Sequence, residues 1–167
     1  TFRTLHRTVD QVKEEWKEMT MELYSTRVLP KPGAVDFLKA MHERGVLLGI
    51  ATSNDRSLAE AALKAQGIFG YFDSVRTSCE VAAGKPAPDV YLKVAEDLRV
   101  EPSACLVFED VPNGIRAGKN AGMEVCAVDD EFSRCDEEEK RHLADYFIHD
   151  FYEIRDNTYE RCRQNGK

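Results

Sequence analysis

The chain has 167 residues, of which 43% are hydrophobic and 32% charged, and its formal net charge is −7. That length and apolar content suit one globular domain with a core of useful size and argue against disorder. An excess of 30 Asp and Glu over 23 Lys and Arg argues against a nucleic-acid-binding surface, which needs clustered basic residues. No apolar run approaches the roughly 18 residues of a membrane span, and Thr1-Phe2-Arg3 does not open a signal-peptide apolar region, so no membrane partner and a cytoplasmic location are expected. The five cysteines form no C-x-x-C pair; reduced thiols are expected, with Cys105 and Cys126 inside apolar runs.

In chain order, Val9, Val12, Trp16, Met19 and Leu23 recur at helical spacing and predict an amphipathic helix over about 8–24. Leu29-Pro30-Lys31-Pro32-Gly33 ends it and marks the best boundary between substructures. Helices are then expected over about 34–44, 56–66, 87–98, 112–121 and 136–144. Strands are expected at Val46 to Ala51, Ser74 to Thr77, Cys105 to Phe108, Glu124 to Val128 and Tyr146 to Ile148. Strands separated by helix-length connections call for parallel pairing through right-handed crossovers, hence an α/β class with a parallel sheet flanked by helices. Gly114, Ala117, Gly118, Ala121 and Gly122 give one helix a small-residue side that can approach the sheet closely.

Ligands gather at the carboxyl ends of strands in open parallel sheets. Behind the first apolar run stand Thr52, Ser53, Asn54 and Asp55, a hydroxyl, an amide and a helix start suited to a phosphoryl oxygen; equally, Asn54 or Asp55 can simply cap the helix. Lys85 lies between Gly84 and Pro86, where a point-like ammonium can meet an anionic centre or remain an exposed loop lysine. The segment is not a P-loop, because Pro86 follows the lysine where Ser or Thr belongs. Glu109 and Asp110 end the run Leu106-Val107-Phe108. Two adjacent carboxylates there call for a cation or strong donors, and Mg²⁺ held by carboxylates and substrate phosphate is the natural occupant.

Together, Ile50-Ala51-Thr52-Ser53-Asn54, Gly84-Lys85-Pro86-Ala87-Pro88-Asp89 and Phe108-Glu109-Asp110 through Ala121-Gly122-Met123 resemble the haloacid dehalogenase (HAD) superfamily, and within it the β-phosphoglucomutase-like phosphatases. The resemblance spans about 28–152. It implies a HAD-like, Rossmann-like α/β core over 28–167, with 1–27 as the C-terminal part of a helical cap. It implies that Thr52 and Lys85 serve catalysis, that Ser53 and Asn54 contact substrate, and that Glu109 and Asp110 hold Mg²⁺. Family members carry their nucleophile in a D-x-D that ends a first, central strand, and no D-x-D occurs in this sequence. That strand is expected between those ending at Ala51 and Phe108, supplied by a companion N-terminal segment or a second chain. The implied activity is a Mg²⁺-dependent phosphatase of a small phosphorylated metabolite, a sugar phosphate above all, acting through an aspartyl-phosphate. A hexose-phosphate mutase and a non-catalytic phosphate- and metal-binding fragment are the alternatives, and the chain alone is expected to be inactive.

Overall fold

The structure is a computed structural model that describes residues 8–162. The first seven residues of the expected cap unit and the last five of the expected core lie outside the described residues. Helix α1 (Val9–Thr26) begins where the Thr8 hydroxyl accepts from the Gln11 amide and the Gln11 side chain accepts from the Thr8 amide, a reciprocal box that satisfies two donors at the helix start. The helix contacts α3 (Arg56–Ala65). Its apolar row, Val9, Val12, Trp16, Met19 and Leu23, nevertheless stays 46–70% exposed, so Trp16 is not a core residue of this chain.

The Pro30 to Gly33 break is pinned rather than loose. Gly33 sits at φ +77, and a Cβ there would come within 2.8 Å of the Tyr152 amide nitrogen, so both conformation and space favour glycine. Beside it, Pro32 accepts a hydrogen bond from the Phe151 amide. Helix α2 (Ala34–Glu43) follows and ends at Gly45, which takes φ +73.

The α/β class holds, but the strands form two sheets. Strand β1 (Gly49–Thr52) pairs in parallel with β2 (Ser74–Thr77), with Gly49 opposite Ser74. The second sheet runs β3 (Leu106–Glu109), β4 (Glu124–Val128), β5 (Tyr146–Ile148) and β6 (Glu160–Arg161). Its first three strands are parallel, whereas β5 and β6 pair antiparallel, a departure from the expected all-parallel order. Strand β1 also starts later than its apolar run: Val46 and Leu47 are about half exposed, and Leu48 is bound to the Asp73 side chain and amide before the ladder begins.

Strand β4 organises the core by alternation. Val125 and Ala127 join Val107, Ile115, Ala117 and Phe147 on one face, under α4 (Asp89–Leu98) and α5 (Pro112–Asn120). Cys126 and Val128 join Ile148 on the other, packed with Phe108, Phe151 and Ile154. There Phe37 of α2 meets Phe108 and Phe151 at centroid distances of 5.3 Å. Short α7 (Tyr152–Asp156) closes this side, and α6 (Glu137–Leu143) lies beside α5. All five cysteines are free; burial pushes the Cys126 thiol up to about 12, while Cys105 is only half-buried.

The small-residue side of α5 does what its composition suggests. A Cβ on Gly118 would stand 2.8 Å from Val125 Cγ2 and 3.5 Å from Val107. Gly118→Leu should lower unfolding free energy by about 1–3 kcal/mol through overpacking, read from urea denaturation.

A second expectation concerns the β2 side, where Arg76 bonds both carboxylate oxygens of Asp97, and Arg56 and Arg76 both bond Glu80. The Thr77 amide and Arg56 hold Glu80 down to about 2 from 4.5, and Arg76 holds Asp97 down to about 2 from 3.8. Depressed carboxyl pKa values add stability that is complete above the unfolded values and is lost as pH falls through the folded ones. Asp97→Asn should therefore destabilise most at pH 7, with its gap to the parent closing toward pH of about 2 in chemical denaturation curves.

Candidate active site

The ends of β1 and β3 meet at one side chain. Lys85, on the loop before α4, directs its Nζ to the carbonyl oxygen of Ala51, 3.0 Å away, and to the Glu109 carboxylate. Both charged side chains are about 90% buried, at 11% and 10% exposure. Lys85 is thus no exposed loop lysine. Tyr91, from the inner face of α4, donates its hydroxyl to the same Glu109 oxygen, Oε1, and its ring centroid lies 4.8 Å from the Lys85 ammonium. Burial first, and then Glu109, push the Tyr91 phenol far above its usual range, which keeps it a donor. Asn120, at the end of α5, donates to the Pro86 carbonyl and holds the Lys85 loop from the other side.

Past β1, Thr52 Oγ1 accepts from the Asn54 amide at 3.1 Å, which folds the strand end into a tight turn. Asp55 takes the capping role: its side chain accepts from the Ser57 amide, so the cap of α3 does not use Asn54. The Asn54 side chain instead donates to the Tyr24 hydroxyl of α1 at 3.2 Å. Ser78 comes within 3.4 Å of both the Thr52 carbonyl and the Ser53 hydroxyl. The backbone thus brings Thr52, Lys85 and Glu109 to neighbouring strand ends, with Ser53 and Asn54 more exposed beyond them.

Glu109 and Asp110 do not face one another. Glu109 turns to Lys85 and Tyr91, and its Oε2 lies over Gly114, where a Cβ would collide with it. Asp110 is 42% exposed, and its Oδ2 stands 3.9 Å from Lys31 Nζ. Lys31 in turn donates to the Asp129 carbonyl at 2.8 Å and to Asp130 Oδ2 at 2.7 Å, and it is the main reason the Asp130 carboxyl is held below its usual range. Two lysines therefore already answer the repulsion that the adjacent carboxylates would otherwise suffer.

Among the described residues no three His, Cys, Asp or Glu side chains cluster to hold a metal ion. Of the two acids at this strand end, Asp110 is open enough to meet a hard cation, whereas Glu109 Oε1 is taken by Lys85 and Tyr91 and its Oε2 lies against Gly114; elsewhere, Asp129 Oδ1 is buried with no hydrogen-bond partner. Mg²⁺ is commonly held by one or two carboxylates with water and substrate phosphate filling the rest.

Sequence reasoning missed Tyr91, Lys31, Ser78 and Ser133, the last of which donates to the Asp110 carbonyl at 2.6 Å. Tyr91 reads as an ordinary inner-face aromatic of α4, and Lys31 as part of a chain break. Only the order Pro-Lys-Pro-Gly hinted that this lysine is held in place.

A family model for haloacid dehalogenase-like hydrolases matches residues 2–122. The chain belongs to this family. It is 40% identical over 109 residues to the fructose-1-phosphate phosphatase YqaB of Escherichia coli, covering 65% of this chain and 56% of that protein. Over 116 residues it is 32% identical to a phosphorylated carbohydrates phosphatase of Thermotoga maritima, covering 70% and 54%. In three dimensions it matches CbbY from Rhodobacter sphaeroides in complex with phosphate, with a TM-score of 0.79 and 25% identity over 91% of this chain and 68% of that one. The chain spans about half the length of the curated relatives it matches. The HAD resemblance read from the three motifs is borne out.

Removing Lys85 leaves Glu109 as a buried carboxylate without its cation. Lys85→Ala should cost about 3 kcal/mol of stability, as expected for one half of a buried pair. Combined with Glu109→Ala, a double-mutant cycle should return a coupling energy of about 1 kcal/mol or more by denaturation.

Proposed function

We propose that the whole protein is a phosphatase of a small phosphorylated metabolite, with a sugar phosphate as the favoured class. The observation that carries this reading is the Lys85 ammonium, buried between the end of β1 and the Glu109 carboxylate at the end of β3. Such a cation answers the charge of a phosphoryl group without a large rearrangement, and preorganised charge is the main device in phosphoryl transfer. The names of the relatives, phosphatases of fructose 1-phosphate and of phosphorylated carbohydrates, favour release of phosphate over its return to the sugar.

In this reading Thr52 and Lys85 bind the transferring oxygens, while Ser53 and Asn54 contact the rest of the substrate. Mg²⁺, which hydrolases of this family generally use, would be held from this chain by Asp110, with Glu109 able to join only by giving up part of its contact with Lys85, and would offset phosphate charge. The nucleophile is an aspartate on an added strand between β1 and β3. Its carboxylate oxygen bonds to phosphorus as the ester P–O bond breaks and the leaving oxygen takes up a proton; water then hydrolyses the aspartyl-phosphate. Support for the added strand comes from β1 and β3, which both stand as edge strands among the described residues. Residues 8–27 act in this scheme as the end of a cap, and the Asn54 to Tyr24 hydrogen bond supports that role by joining α1 to the substrate side.

The test is phosphate release from a panel of sugar phosphates, with Mg²⁺ and with EDTA, by this chain and by a longer form that carries a D-x-D strand ahead of it. Activity is expected only in the longer form with Mg²⁺, and Lys85→Ala or Asp110→Asn there should reduce kcat/KM by about 100-fold or more, in line with loss of a preorganised charge. Turnover by the 167-residue chain alone would refute an external nucleophile. A longer form that binds phosphate yet never releases it from a substrate would favour a binding module.

A further inference from the structure

Among the described residues, one fully buried charged side chain lies outside the motifs. Lys140, on α6, has no exposed surface, whereas lysines almost never bury fully without a partner. Its Nζ donates to the Val128 carbonyl at the end of β4, 3.2 Å away, and to Ser133 Oγ at 3.0 Å. Ser133 is itself 5% exposed and departs from helical geometry within its turn, with φ −111 and ψ 20. Its hydroxyl accepts from the lysine and passes its own hydrogen to the Asp110 carbonyl at 2.6 Å. An ammonium bonded to a hydroxyl oxygen makes that O–H a stronger donor, so the two bonds reinforce each other in a low-dielectric setting.

A buried ammonium is costly compared with an apolar side chain of the same length, and α6 could have been anchored by methionine or leucine. What the lysine gains is reach. It connects a helix beyond β4 to the backbone of Asp110, the residue just past β3, whose own side chain is half open with Oδ2 3.9 Å from Lys31 Nζ. Fixing the Asp110 carbonyl fixes the Asp110–Val111 peptide plane, and so the backbone from which the Asp110 side chain departs.

We propose that Lys140 and Ser133 are positioning residues that act through the Asp110 carbonyl to hold the Asp110 carboxylate in its metal-binding direction. The relay itself needs only the hydrogen bonds above; its consequence for a metal rests on the phosphatase reading. Outer partners of this kind typically alter metal affinity by about 10–100-fold when removed.

The experiment follows the Asp110 and Val111 amide resonances of this chain by NMR in Ser133→Ala, Ser133→Thr, Lys140→Met and the double variant Ser133→Ala/Lys140→Met. Ser133→Ala and Lys140→Met should move both resonances in the same direction, the double variant should move them no further than the larger single change, and Ser133→Thr, which keeps the hydroxyl, should stay near the parent. The same samples are titrated with Mn²⁺, and the dissociation constant should rise about tenfold in Ser133→Ala and return toward the parent in Ser133→Thr. Unmoved Asp110 resonances in Ser133→Ala, or strictly additive shifts, would overturn the relay. Moved resonances with unchanged Mn²⁺ affinity would overturn the positioning role. Absence of Mn²⁺ binding in the parent chain would overturn the positioning role toward a metal while leaving the phosphatase reading to the longer form.

Discussion

The Lys85 ammonium stands between a backbone carbonyl at the end of β1 and a carboxylate at the end of β3, with Tyr91 donating from α4 to the same oxygen. A charge pair so far removed from water is poorly screened, so each partner depends on the other being in place. The contact also does structural duty. Strands β1 and β3 belong to different sheets, and this side chain gives them a common polar joint, while Ala51 adds an apolar one by packing on the Val107 and Ile115 core. The geometry that would greet a phosphoryl group is the geometry that joins the two halves of the fold.

Helix α5 sets the dimensions of that joint. Gly118 lets the helix close on Val125 and Val107, and one turn earlier Gly114 leaves the space taken by the Glu109 carboxylate. The first is a packing requirement and the second a polar one, yet both come from the same row of small residues. The end of β3 then divides the acidic pair: Glu109 is its last residue and reaches Lys85, whereas Asp110 lies in the bend beyond it and reaches toward Lys31.

Much of this was legible in the sequence, for physical reasons that differ by element. Strands β4 and β5 fall on the expected residues because their apolar runs are buried almost throughout, and the short, mostly polar β2 falls there too, with both of its ends buried. β1 was placed too early because Val46 and Leu47 are apolar yet lie outside the ladder, a matter of where Asp73 binds the chain. The antiparallel β6 has two residues and α7 five, too short for a period to register. Within the site, Lys85 and Glu109 could be paired by motif order, whereas Lys31, Ser133 and Lys140 could not. Lys31 meets Asp130 across 99 residues of sequence, and Ser133 meets Asp110 across 23; nothing local marks either contact.

The far edge of the larger sheet gives a direction to everything else. β6 contributes only Glu160 and Arg161, runs against its neighbour, and carries a charge at each position, with Glu160 joined to Arg141. Short, charged, reversed strands make poor templates for further pairing. Any strand that joins this sheet is therefore steered to the opposite side, along β3, where the backbone meets Glu109 and the buried lysine. In the described chain, the edge that is open to growth is the edge that ends beside the Lys85–Glu109 pair.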